Sequence, residues 1–199
     1  VALEICDSLV EAHALGLVHR DLKPANVFLA RIGRDPQFVK VLDFGLAELE
    51  SHMRGDDDRH PRVVGTPGYI PPETLLEQGG DARSDLYQLG CVLFYLLTGR
   101  LVFERPSVTA LAVAHVREDP PPVSEAAGVV VPVELEEVIA RCLEKSPEDR
   151  FASAEELQRA LCAVLVAWGP AWLRGGVSPD ILPLAFEPGA QAWSAPRTL

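Results

Sequence analysis

A mainly α-helical α+β domain carrying one β-hairpin is the fold this sequence predicts, and three observations predict it. Ile5, Leu9 and Ala12 are spaced four and then three residues apart, which lines one face of a helix. Residues 84–98 ("SDLYQLGCVLFYLLT") are apolar on nearly every face, the pattern of a helix buried inside a domain. Between these two segments lie two short β-type runs, Val27–Leu29 and Phe38–Leu42, separated by a stretch with Gly33 and Asp35-Pro36 that reads as a hairpin turn.

Each element follows in order. The first helix is expected from the start of the chain to about Leu15, stopping near Gly16. Asn26 directly precedes the first β run and Asp43 directly follows the second, so a hairpin would carry both to one place. Residues 48–60 are polar and read as a loop. Gly99 should end the buried helix. Ser107 can cap a helix that stops before Pro120-Pro121-Pro122, and Pro132 suits the first turn of the next, with Leu135, Val138, Ile139, Cys142 and Leu143 facing inward. Ser153 with Glu156 makes a capping box for the last helix. Residues 1–168 are thus the expected globular part. Residues 169–199 hold five prolines and four glycines and read as a linker or unstructured tail.

At 199 residues and 48% hydrophobic, the chain can bury a substantial core, which excludes disorder of the whole. A net charge of -11 argues against broad binding to nucleic acid or an anionic membrane, although a metal ion can still bridge an acidic protein to a nucleotide. Cys6, Cys91, Cys142 and Cys162 form no C-x-x-C pair and read as reduced, buried packing residues, as in a cytoplasmic protein. The apolar stretch from Leu161 to Leu173 is too short to span a bilayer and is broken by Gly169-Pro170. The opening residues lack the features of a secretory signal. A start at Val1 and a first helix with no N-cap read as a piece of something longer.

The chemistry concentrates in "HRDLKPAN" and the "DFG" after the second β run. Asp21, Asn26 and Asp43 offer two acids and an amide oxygen, hard ligands suited to a divalent cation with positions left for water and phosphate. Lys23 adds a cation able to neutralise a transferring phosphoryl group. Taken singly, Asp21 and Asp43 could equally be a hairpin cap and a turn acid.

"HRDLKPAN", "DFG", "GTPGYIPPE", "SDLYQLG" and "CLEKSPEDRF" stand in the order and approximate spacing of the eukaryotic-like (Hanks-type) protein kinases. Residues 1–165 resemble the larger, C-terminal lobe of that fold, a mainly helical lobe with a small β-hairpin carrying the catalytic and metal-binding loops. The resemblance implies ATP and Mg²⁺ (or Mn²⁺) as cofactors. It gives Asp21 as catalytic base, Lys23 on the γ-phosphate, and Asn26 and Asp43 on the metal. His19 would pack beneath Phe44, and Gly45 would supply permissive backbone after the metal ligand. Asp85 would accept hydrogen bonds from the backbone at His19 and Arg20, and Glu73 would pair with Arg150. Lys23 in D-L-K-P and Thr66 in "GTPGY" look like serine/threonine kinases, which implies protein substrates bearing Ser or Thr. Several phrases, "EKSPEDRFASAEEL" among them, are most like bacterial members.

Plainer readings stand beside these. His13, His52, His60 and His115 show no metal spacing and read as surface or satisfied-core residues, and the three tryptophans as packing or tail residues. One of Asp56, Asp57 and Asp58 could replace an activating phosphate opposite Arg20, or the three could simply be a solvated loop. The family's glycine-rich loop, strand Lys and helix Glu do not occur in the 199 residues. Two expectations follow: a fragment whose missing N-lobe would pack on this lobe and which is inactive alone, or a non-catalytic binding module.

Overall fold

The computed structural model describes residues 1–32, 35–44 and 65–174. Helix α1 (Ala2–Ala14) is followed by a 3-10 turn (Pro24–Asn26), strands β1 (Val27–Ile32) and β2 (Asp35–Val41), and a short helix α2 (Pro72–Leu75). Then come α3 (Ala82–Thr98), α4 (Val108–Arg117), a single turn and a half at α5 (Val123–Ala127), α6 (Val133–Cys142), a second 3-10 turn (Pro147–Asp149) and α7 (Ala154–Arg174).

The strands pair antiparallel, Val27 opposite Val41 and Ile32 opposite Asp35, with an irregularity between Ala30 and Ile32. Both strands are longer than their apolar runs. Asp35-Pro36, expected in the turn, lies inside β2 instead, as a two-stranded sheet permits because each strand has an edge on which proline's missing N–H goes unused.

Helix α3 is the hub of the core. It packs on α1, α5, α6 and α7, and an unbroken run from Ser84 to Phe94 is buried. Asp81, rather than a residue near Ser84, starts it, its carboxylate accepting the Arg83 N–H at 2.8 Å. Gly99 ends it with φ 67°, a left-handed cap that side chains disfavour. Ile5 and Leu9 on α1, Leu22 in the loop, Leu86 and Leu89 on α3, and Leu157 on α7 are fully buried, each contributing roughly 1.5–3 kcal/mol.

Helix α3 meets α6 at very close range, because Gly90 has no side chain. A Cβ there would lie 2.7 Å from Cys142 Cβ.

Ser107 caps α4 by accepting the Ala110 N–H at 3.1 Å, and Pro132 is the residue just ahead of α6. In α6, Val138, Ile139, Cys142 and Leu143 are buried and Leu135 partly so. Ser153 accepts the Glu156 N–H (3.3 Å), while the Glu156 carboxylate reaches back to the Ala152 N–H (2.8 Å), one residue further than a simple capping box. Helix α7 continues through Gly169 and Pro170 to Arg174.

One expectation fails at Cys162. Cys6, Cys91 and Cys142 are buried, but Cys162 is exposed, because it follows the inward-facing Leu161 and turns onto the outer side of α7. All four thiols are free, and burial pushes those of Cys6 and Cys91 up to about 12. Among the described residues no helix is long and apolar enough to cross a membrane.

Candidate active site

The loop from His19 to Asn26 is held by its main chain, from below. Asp85, fully buried on α3, accepts the His19 N–H through Oδ2 and the Arg20 N–H through Oδ1, both at 2.8 Å. Gln88, three residues on and so on the same face of α3, accepts the Leu22 N–H (2.9 Å) and donates to the Arg20 carbonyl (2.9 Å). His13 on α1 places Nε2 2.8 Å from Asp85 Oδ2. These contacts hold Arg20 at φ 66°, a left-handed conformation that a residue other than glycine keeps only when its surroundings impose it.

His19 ties the loop to the hairpin. Its Nδ1 accepts the Asp21 N–H at 3.3 Å, so Nε2 carries the proton donated to the Leu42 carbonyl at 2.9 Å. Its ring lies 4.7 Å from that of Phe44, tilted by 54°.

The charged residues converge above this support. Asp21 Oδ2 accepts from Lys23 Nζ at 2.6 Å, and Oδ1 accepts from the Thr66 hydroxyl at 2.8 Å and the Thr66 N–H at 3.1 Å. Lys23 Nζ also donates to Thr66 Oγ1 at 2.7 Å. An acid, an ammonium and an aliphatic hydroxyl therefore touch one another, all partly open to solvent.

The hairpin register sets the other two candidates. With Val27 opposite Val41, the Leu42 N–H reaches the Asn26 carbonyl at 2.9 Å, which brings Asn26 and Asp43 to the same end of the strands. Asn26 donates its Nδ2 to the Asp21 carbonyl at 2.9 Å, leaving the amide oxygen to meet a cation. Asp43 is exposed, at φ 65°. Two hard oxygen donors at one edge, with coordination positions left open, fit a divalent cation carried with phosphate. Among the described residues no cluster of three or more His, Cys, Asp or Glu side chains forms a self-contained metal site.

Behind the site, Glu73 of α2 is bound by Arg150 through two hydrogen bonds of 2.8 and 2.7 Å and by Ser84 at 2.7 Å. Arg150 also donates to the carbonyls of Arg83, Glu144 and Lys145, which uses all five guanidinium N–H groups. Burial pushes the Glu73 carboxyl up, but the Arg150 bonds and charge outweigh it and hold it below the usual carboxylate range.

Gly45, His52, His60 and Asp56–Asp58 lie outside the described residues. Gln88 and His13 are site residues that the sequence reading missed as such. The spacing of Gln88 from Asp85 was a usable signal, whereas nothing local marks His13.

The description "protein kinase domain" belongs to the family model that matches residues 1–161. The chain is 48% identical over 166 residues to the serine/threonine-protein kinase Pkn1 of Myxococcus xanthus, a match covering 83% of this chain and 24% of that protein. It is 40% identical to PksC of Streptomyces coelicolor (98% of this chain, 32% of that protein) and 38% identical to PknB of Mycolicibacterium smegmatis (82% and 25%), both named serine/threonine-protein kinases. The chain belongs to the protein kinase family. It spans about a quarter to a third of the length of these bacterial relatives.

Proposed function

We propose that these residues form the catalytic half of an ATP-dependent protein serine/threonine kinase. The observation that carries this reading is the Thr66 hydroxyl, 2.8 Å from the Asp21 carboxylate and 2.7 Å from the Lys23 ammonium. It donates to the acid, the contact that a substrate hydroxyl needs, with the ammonium at the same point to meet charge on a transferring group.

In this reading Asp21 takes the proton from a Ser or Thr hydroxyl as its oxygen bonds to the γ-phosphorus of ATP. The bond from that phosphorus to the β–γ bridging oxygen breaks, giving ADP and a phosphoester. Lys23 stabilises the charge on the transferring group. Asn26 and Asp43 would hold Mg²⁺, or Mn²⁺, which when bound neutralises charge on the phosphates. The names of the relatives support Ser/Thr proteins as substrates, and the four free thiols support a cytoplasmic setting.

The test is made on the full-length protein, since the 199 residues do not include the family's glycine-rich loop and strand lysine. Incubation with labelled ATP, Mg²⁺ and a protein substrate should label serine or threonine, and Asp21→Asn should lower the labelling rate by roughly 10²–10⁴-fold. Transfer undiminished in Asp21→Asn, or label on tyrosine alone, would overturn the reading. No transfer by the native protein together with retained binding of a protein partner would point to a binding module.

A further inference from the structure

On the side of the lobe formed by its last two long helices, α6 and α7 leave a groove of about 450 Å³ that the reaction does not use. Its deepest lining residues are Val138, Phe151 and Val164, all buried, and its α7 wall is Ala160, Ala163 and Ala167, partly or fully open to solvent. From Ala160 to Trp168 the helix carries no charged residue. The Arg141–Glu156 ion pair (3.0 Å) ties the end of α6 to the start of α7, so the two helices run antiparallel and Arg141 marks the far end of the groove from Arg174. Arg141 lies over the Phe151 ring at 4.2 Å with its side chain 46% exposed, which leaves room for a second carboxylate.

The chain supplies a segment of the right pattern at the right distance. Helix α7 ends at Arg174, and the next two residues are Gly175 and Gly176, which can reverse the chain at low conformational cost. Residues 180–187 read "DILPLAFE". Leu182, Leu184 and Phe186 alternate, the period of an extended segment with one apolar face, and Pro183 favours extended backbone before it. Eight extended residues reach roughly 26 Å at about 3.3 Å each. From Arg174 back to Ala160, α7 measures roughly 21 Å at 1.5 Å per residue. A segment that turns at the glycines and runs back along α7 therefore ends beside Arg141, with Glu187 at its tip. Asp180 falls beyond the first residue of α6, clear of Glu134 and Glu137. Tethering a few residues away gives an effective concentration in the millimolar range, an advantage that a second molecule lacks.

We propose that residues 180–187 dock in extended form in the α6–α7 groove, antiparallel to α7, with Leu184 and Phe186 against the alanine wall and Glu187 paired with Arg141.

The test uses thiol pairs in the full-length protein. Native Cys162 is exposed on α7 but outside the groove, whereas Ala163, the next residue, lines it. Leu184→Cys is combined once with native Cys162 and once with Ala163→Cys in a Cys162→Ser background. In a glutathione redox buffer, with each rate divided by that thiol's own rate with glutathione disulfide, the 163–184 pair should close within one molecule at least about 10-fold faster than the 162–184 pair, because a disulfide needs its Cβ atoms within about 4.5 Å. Phe186→Ser should erase the difference. Equal rates, as for a free tether, overturn the proposal, and so does the absence of either disulfide. A 163–184 disulfide formed only between molecules overturns it too, since the occupant is then a second copy. All the substituted positions on α7 are exposed, so folding is not at stake.

Discussion

Glu73 and Arg150, 77 residues apart in sequence, meet in a two-pronged ion pair from which water is excluded. Arg150→Met would leave the Glu73 carboxylate buried with only Ser84 to face it, and is expected to cost about 3–5 kcal/mol. Replacing both partners together, Glu73→Leu with Arg150→Met, should cost less than the sum of the single changes, because no charge is then stranded. Urea unfolding of the four proteins measures both, and strictly additive losses would show that the two side chains are not coupled.

Asp21 and Thr66 separate chemistry from support. Asp21→Asn keeps the loop, whose main chain is held by Asp85 and Gln88, but should lower phosphoryl transfer by roughly 10²–10⁴-fold. Thr66→Val removes the hydroxyl that contacts both Asp21 and Lys23, and should lower it by roughly 10–100-fold, the worth of one hydrogen bond to a charged group. Steady-state rates with melting temperatures unchanged are the required readout.

Gly90→Ala sets two effects against each other. Alanine in a helix interior normally stabilises by about 1 kcal/mol over glycine. Here the new methyl would lie 2.7 Å from Cys142 Cβ and 3.2 Å from Leu143 Cδ2, and a Cβ cannot move without its helix. Overpacking should win, with a net loss of about 1–3 kcal/mol in chemical unfolding.

Stability should fall with acid through His115. Burial first, and Lys145 second, push its imidazole down to about 4 from 6.5. Between those values the unfolded chain binds the proton and the folded chain does not, so the contribution is complete above about pH 6.5 and lost as pH drops towards 4. The shift corresponds to roughly 3 kcal/mol. Unfolding midpoints followed from pH 7.5 to 4.5 should show a slope that His115→Gln flattens; an unchanged slope would refute the assignment.

Elements with a strong local pattern were legible in the sequence: α1 from its spaced apolar residues, α3 from its unbroken apolar run, α4 and α7 from their caps. The hairpin was legible in its middle only, since Pro36 looked like a turn residue and an edge tolerates it. Helices α2 and α5 are too short to show a period. The cluster of Tyr87, His115 and Lys145 joins three separate segments, and neither its pairings nor the one between His13 and Asp85 leaves any local trace. Cys162 misled because its neighbours are apolar while its own side of the helix is not covered.

The grip of Asp85 and Gln88 on the loop is a grip on peptide groups, blind to what the loop's side chains are. A gene copy could lose Asp21 and Lys23 and still keep the main-chain course of the loop. Chemical silence is therefore easily reached by descent in such a lobe, without passing through an unfolded ancestor.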